Sequence, residues 1–430
     1  MRYYSTNGKA PWASLREAVV NGLAPDRGLY MPERIDPMPE AFFRELPEMD
    51  LRQTALAVAT RYFGEDVDPE ALERIVYGAL NFEIPAVEVS GRICSLELFH
   101  GPTLAFKDVG ARFMARLLAY FNQDETREVN VLVATSGDTG SAVANGFLGV
   151  EGVRVFVLYP KGRVSPIQEC QFTTLGQNVT ALEIDGSFDD CQALVKNAFM
   201  DPELKARMKL TSANSINVAR FLPQSFYYFH GVGQMQKMGR GENLVVCVPS
   251  GNFGNLCSAL FAVRMGLPVK RMIAANNRND VFLQYLQTGR YSPRPSIATL
   301  ANAMDVGDPS NFARILDLYG GDWNAIRTFI SGDSVDDGTI LSAIRDCCRQ
   351  TGYLLDPHGA CAYKALSDGL RDGENGLFCE TAHPAKFKDT VEKATGQSVG
   401  IPDRLAAFMQ GKKVSVPLPA DFKAFKEYLM

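Results

Sequence analysis

From about residue 90 onward, short β-branched runs alternate with helical patterns, and this alternation limits what the chain can fold into. VNVLVAT (129–135) precedes SGDTGSAVANGFL, RVFVLYP (154–160) follows, and TALEID (180–185) precedes a helical pattern at 188–199. NLVVCVPS (243–250) then precedes GNFGNLCSALFAVRMG, RMIAAN (271–276) follows, and GLFCETA (376–382) precedes HPAKFKDTVEKATG. Strands alternating with helices build βαβ units, so the expected class is α/β, with largely parallel open sheets covered by helices on both faces. Residues 1–90 have a different texture. Leu51–Phe63 and Pro69–Leu80 repeat apolar residues at three- and four-residue steps, the second with proline in its first turn, which predicts a mostly helical extension. The expected division is this extension (1–90), a smaller α/β domain (91–240) and a larger one (241–430). The larger domain carries an insertion around 284–340, whose 288–312 stretch is rich in Pro, Gly, Asn and Ser.

Composition excludes several classes. The chain has 430 residues, 44 Lys+Arg against 49 Asp+Glu, and 46% hydrophobic residues. That is enough for two or three units around a large core. A net charge of −5 with no basic run argues against nucleic acid. No apolar stretch reaches the roughly 18 residues of a membrane span, and MRYYSTNGKAPW lacks the apolar centre of a secretory signal. The expected location is therefore the cytoplasm. The nine cysteines are scattered without a C-x-x-C pair, and there are only four histidines. Buried, reduced thiols are expected, and no metal.

In open parallel sheets ligands bind beyond the carboxyl ends of strands, and three such junctions stand out. Ser250 is followed by Gly251, Asn252, Phe253, Gly254 and Asn255 at a helix start. Two glycines three apart let backbone N–H groups turn inward to cradle a phosphate at the helix N-terminus, although a tight turn alone also calls for glycine. This is not the dinucleotide fingerprint, and Gly231-Val232-Gly233 has no strand before it. At the second junction, Ser136, Gly137, Asp138, Thr139 and Gly140 open another helix, with N–H groups suited to a carboxylate or simply a capped helix start. At the third, Thr381 ends a strand, where a hydroxyl is commonly a cap. A fourth segment, LELFHGPTLAFKDVG, places Lys107 in the first turn of a helix with an apolar face at 110, 113, 114, 117, 118 and 121. The helix dipole and the flanking Phe99 and Phe106 both favour the neutral amine, a nucleophile suited to a Schiff base, whereas most lysines merely reach from a surface helix into water. A Schiff-base lysine and a phosphate cradle on one parallel sheet point to pyridoxal 5′-phosphate.

In this order and spacing, LELFHGPTLAFKDVGARF, ATSGDTGSAVA, SANSINVARFLPQ, VPSGNFGN, TLANAMDVGDPSNF and TAHPAKF resemble the threonine synthases over essentially the whole chain. The likeness is to the longer bacterial and fungal branch, which has an N-terminal extension. It implies the tryptophan-synthase-β-like fold (type II of the pyridoxal-phosphate enzymes) and conversion of O-phospho-L-homoserine and water to L-threonine and phosphate. It also implies a cytoplasmic enzyme that is a monomer or weak homodimer. By the resemblance, Lys107 is the Schiff-base lysine and later carries protons between the substrate carbons. Gly251, Asn252, Phe253, Gly254 and Asn255 hold the cofactor phosphate, and Thr381 places its hydroxyl at the pyridine nitrogen. Ser136, Gly137, Thr139 and Gly140 hold the substrate carboxylate, and Thr103 is a further substrate-binding residue. Asn214, Ser215, Asn217 and Arg220 of NSINVAR take the substrate phosphate, with Lys161 as a helper; the Arg220 fork suits an oxyanion. Relatives in the wider fold carry Asn where this chain has Asp138, which would donate to the cofactor's 3′ oxygen only when protonated. His100 and His383 are expected as neutral supporting groups, and His230 and His358 have no special context. A serine/threonine dehydratase shares the lysine segment, but it would lack NSINVAR, the TLANAMDVGDPSNF insertion and the extension. A catalytically silent homologue would have lost Lys107 or the phosphate loop.

Overall fold

The computed structural model describes residues 1–123 and 127–430. The apolar runs form strands: Val129–Ala134, Leu244–Pro249 and Arg271–Asn276 are buried at every position, as strands covered on both faces must be. Two sheets are built from them. One is wholly parallel, in the order Val416–Pro419, Val179–Asp185, Val153–Pro160, Val129–Ala134, Lys209–Ser212. The other runs Ile330–Ser334, Arg271–Asn276, Leu244–Pro249, Asn375–Glu380, Ile93–Glu97, Ala86–Ser90, and only its last pair is antiparallel. Among the described residues no helix is long and apolar enough to cross a membrane.

The sheets do not divide the chain at residues 90 and 240 as its texture suggests. Ile93–Glu97 lies beside Asn375–Glu380, and Val416–Pro419 extends the sheet containing Val179–Asp185. A strand's partner is set by which edge is open in the folded molecule, and local pattern carries no record of that. The insertion likewise ends in an edge strand, Ile330–Ser334, whose sequence ISGDS has no apolar run to announce it.

The N-terminal extension supports the catalytic half directly. Its helix Leu51–Phe63 starts with a reciprocal cap: Gln53 N–H donates to Asp50 Oδ1 at 2.8 Å, and Asp50 N–H to Gln53 Oε1 at 2.9 Å. The next helix, Pro69–Ala79, has Asp68 as its cap and proline in the first turn. Phe63 packs 5.0 Å from Phe113, on the buried face of helix Lys107–Asn122, and Phe113 packs 5.7 Å from Phe226. A three-stranded antiparallel sheet, Ala13–Ser14, Arg2–Ser5 and Tyr30–Pro32, adds strand content that the helical reading of this region misses.

Arg314 ties three segments together. Fully buried on helix Phe312–Leu318, it donates to Tyr30 O at 3.1 Å, Ser215 O at 3.1 Å, Ile216 O at 2.6 Å and Asn311 Oδ1 at 2.6 Å, and lies 4.0 Å over the Phe221 ring. Removing it leaves several buried carbonyls without donors, each costing on the order of 1–3 kcal/mol. Arg314→Ala is therefore predicted to lower stability by about 3 kcal/mol or more. An unchanged urea midpoint would show that the carbonyls find other donors.

Candidate active site

The carboxyl ends of both sheets face one cavity. Its wall includes Phe106, Lys107, Ser136, Thr139, Asn214, Ser215, Arg220, Gly251, Asn252, Phe253, Gly254, Asn255 and Thr381. Most of the residues that the sequence singles out therefore meet in one place, although they lie as far apart as 106 and 381 in the chain.

Lys107 is the first residue of its helix and is partly buried. The loop before it is fixed from two sides. Phe106 N–H donates to Thr381 O at 2.9 Å, His383 N–H to Leu104 O at 3.1 Å, and Ala105 bridges Ala382, so the lysine and threonine motifs are laced backbone to backbone. Asp108 accepts from Thr103 N–H at 2.8 Å and Thr103 Oγ at 2.7 Å, and burial pushes its carboxyl up to about 6. Burial also drives the Lys107 amine down to about 8; Asp138 pulls the other way, while Lys386 and Arg220 push further down. Among the described residues Lys107 has no ion pair, and its Nζ stands 5.6 Å from the Phe106 ring centroid. The amine is thus shifted toward its neutral form, the direction that the motif suggests.

Several expected contacts fall elsewhere. Thr103 is fully buried, its hydroxyl occupied by Asp108 and its carbonyl by Gln171 Nε2 at 3.0 Å, so it orders the lysine loop and lies off the cavity wall. Gly137 and Gly140 N–H donate to Thr135 Oγ at 2.9 and 2.8 Å, leaving Ser136 and Thr139 as the groups of that loop on the cavity. Gly137 adopts φ +144°, and a Cβ there would lie 2.6 Å from the Gln168 side chain, so this turn requires glycine. Asn217 caps helix Val218–Phe221 and donates to Val19 O at 2.8 Å and Ser212 O at 3.2 Å, anchoring the segment to the N-terminal extension. Lys161 is exposed and absent from the cavity wall. Apart from Lys161, each of these residues satisfies a local structural requirement that the motif pattern alone does not separate from ligand binding.

Asp138 also departs from expectation. Burial alone raises its pKa, but Lys386, with Nζ 2.6 Å from Oδ1, and Lys107 more than reverse this, so it remains a carboxylate well below the ordinary range. It cannot donate a hydrogen bond. Lys386, in HPAKF, carries no strand-end or glycine signature and passes unnoticed in the sequence. His358 is the other omission: it lines the cavity, accepting from Ala303 N–H at Nε2 (3.2 Å), with Nδ1 2.6 Å from Asp356. The accepting Nε2 puts the proton on Nδ1. His100 pairs with Glu97 at 2.7 Å and His383 accepts from Ala385 N–H at 3.1 Å; neither lines the cavity.

Two regions of the wall are suited to anions. After strand Leu244–Pro249 the chain turns through Phe253 at φ +60° into helix Gly254–Arg264. A Cβ on Gly251 would lie 2.7 Å from Met304 Cα, and one on Gly254 2.7 Å from Ser215 Cβ, so only glycine leaves this cradle open. Asn252 Nδ2 and Asn311 Nδ2 both donate to Ser215 Oγ, at 2.9 and 3.1 Å, joining the cradle to the NSINVAR segment. In that segment Arg220 is 2% exposed, donates through Nη1 to Ala213 O, and leaves Nε without a partner among the described residues. Burial lowers it to about 10, with Asp108 opposing. A buried guanidinium without a carboxylate is costly unless an anion completes it. The open cradle, the neutral lysine and the buried Thr381 fit pyridoxal phosphate.

Comparison with known proteins agrees with this geometry. Residues 86–377 match the pyridoxal-phosphate dependent enzyme family, residues 2–80 the threonine synthase N terminus, and residues 359–429 the threonine synthase C-terminal family. The threonine synthase of Escherichia coli K12 is 44% identical over 433 residues, covering 100% of this chain and 99% of that protein. The crystal structure of the E. coli threonine synthase superposes with a TM-score of 0.95, at 43% identity over 100% of this chain and 99% of that one. A pyridoxal-phosphate-bound threonine synthase from Brucella melitensis superposes at 0.93, with 36% identity over 100% and 98%. A tomato threonine deaminase reaches only 0.54 at 15% identity over 86% of this chain and 97% of its own, a likeness of fold alone. The chain belongs to the pyridoxal-phosphate-dependent threonine synthases.

Proposed function

We propose that this cavity converts O-phospho-L-homoserine and water to L-threonine and phosphate. The observation that carries the reading is the pairing of a lysine whose burial favours the neutral amine with a buried guanidinium that has no counter-ion among the described residues, both on one cavity wall. When bound, pyridoxal phosphate supplies an aldehyde for amino groups and a ring that spreads negative charge from the adjacent carbons. Gly251 through Asn255 would hold its phosphate by backbone N–H groups at the helix N-terminus, and Thr381 its ring nitrogen. A neutral hydroxyl there does not keep that nitrogen protonated.

Lys107 would anchor the cofactor, and its amine, once free, would take the Cα proton and carry protons at the neighbouring carbons. Ser136 and Thr139 hold the substrate carboxylate. Arg220, with Asn214 and Ser215, holds the γ-phosphate, so that negative charge developing on it as the C–O bond breaks is already met by fixed donors. Water then adds at Cβ. Residues 302–306 form part of the same wall, limiting how much solvent reaches the reacting carbons. This reading carries with it a cytoplasmic enzyme that is a monomer or weak homodimer.

Three outcomes test it. Lys107→Ala is predicted to lower turnover by at least about a thousandfold, since nucleophile and proton carrier vanish together; phosphate release at near-wild-type rate would remove Lys107 from the chemistry. Arg220→Ala is predicted to reduce kcat/KM for O-phosphohomoserine by roughly 10- to 100-fold while cofactor content, read by absorbance, is retained. Equal kinetics in the two proteins would exclude Arg220 from the phosphate site. Capture of pyridoxal phosphate by the unloaded protein should quicken with pH and level off about one unit above 8, because the reactive species is the neutral amine, half formed at about 8 and nearly complete a unit higher. A rate still climbing at pH 10 would mean an ordinary lysine.

A further inference from the structure

A buried carboxylate beside a buried lysine ordinarily becomes its counter-ion, and Asp138 stands close enough to Lys107 to raise its proton affinity. It is nevertheless committed elsewhere. Lys386, fully buried, holds Asp138 Oδ1 at 2.6 Å and donates to Thr103 O at 2.9 Å, in the loop that presents Lys107. Gln168 Nε2 donates to the same Oδ1 at 2.9 Å.

We propose that Lys386 is a positioning residue for Lys107: by keeping the Asp138 carboxylate to itself, it denies Lys107 a counter-ion and leaves the Lys107 amine unpaired. Three features support this. First, the site of Lys386 is built. It sits in the turn Pro384–Phe387, opened by His383 through its Nδ1 bond to Ala385 N–H, and among the described residues its ammonium meets only the Asp138 carboxylate and the Thr103 carbonyl. Second, Asp138 cannot swing freely to Lys107, because Gln168, packed against Gly137, grips the same oxygen. Third, the charges balance only in this arrangement. Asp138 and Lys386 neutralise one another, and Arg220 is left for an incoming anion.

The other titratable groups around the pair are Asp108 on the lysine helix, Cys170 on helix Pro166–Thr173, and His383. Asp108 is engaged by Thr103, burial raises the Cys170 thiol, and burial lowers His383. None replaces Asp138 as a counter-ion for Lys107. The sign of each perturbation follows. Without Lys386, both the loss of a like charge and the release of a carboxylate favour the protonated amine. Without the Asp138 charge, the uncompensated Lys386 ammonium disfavours it.

The inference rests on Lys107 being the reacting amine, so its test reads that amine directly in the unloaded protein. Competitive acetylation with limiting acetic anhydride between pH 6 and 10, followed by mass spectrometry of the peptide containing Lys107, gives the titration midpoint without cofactor or substrate. Lys386→Met is expected to move the midpoint up by about one unit, a roughly tenfold loss of reactive amine at neutral pH. Asp138→Asn, of nearly the same shape, is expected to move it down, and it serves as the second variant should Lys386→Met fail to fold. Opposite shifts are a signature that a merely structural role would not produce. An unmoved midpoint in folded Lys386→Met, or in Asp138→Asn, overturns the inference. Turnover of O-phosphohomoserine by the wild-type protein, measured separately, decides the functional reading whatever the midpoints do.

Discussion

Removing an amine from water disfavours its charged form, and every element around Lys107 preserves that effect. Phe106 and the helix that Lys107 opens withhold solvent. The Asp108–Thr103 contacts stop the preceding loop from opening. The nearby carboxylate that would restore the charge is bound to Lys386. Even the N-terminal extension contributes, since Phe63 packs on Phe113 and holds the lysine helix against the rest of the protein. The anion sites follow the same logic with opposite sign: Arg220 stays charged in a buried place where only a negatively charged visitor completes it.

The two sheets with their helices are legible in the chain because buried parallel strands must be apolar along their length, and Leu244–Pro249 and Val129–Ala134 are. The junctions after them are legible because ligands of open parallel sheets bind beyond the carboxyl ends of strands, where these glycine and hydroxyl residues lie. Pairing between distant strands is not legible. Nothing in ICSLE or NGLFCE says that they are neighbours, and Ile330–Ser334 has no apolar run at all.

The candidate site divides in the same way. Motif reading singles out Lys107, Arg220 and the Gly251–Asn255 turn, which line one cavity, because their chemistry is unusual for their position. It assigns ligand roles to Thr103, Gly137, Gly140 and Asn217, whose polar groups are occupied by the backbone or neighbouring side chains. It overlooks Lys386 and His358, which lie inside helical or turn patterns with no local mark of burial. A buried charge is identified by what surrounds it, and the surroundings are assembled from residues far away in sequence.

One consequence concerns the order in which the chain leaves the ribosome. Asn375–Glu380 is the last-made strand of the six-stranded sheet, yet it lies in the interior, between Leu244–Pro249 and Ile93–Glu97. Until nearly nine-tenths of the polypeptide exists, these two strands each present an open edge. Lys386 arrives six residues after that strand ends, so Asp138 waits for its partner through almost the whole of synthesis. Sheet closure and neutralisation of the buried Asp138 charge are thus one late event, and a nascent chain stopped short of it has neither.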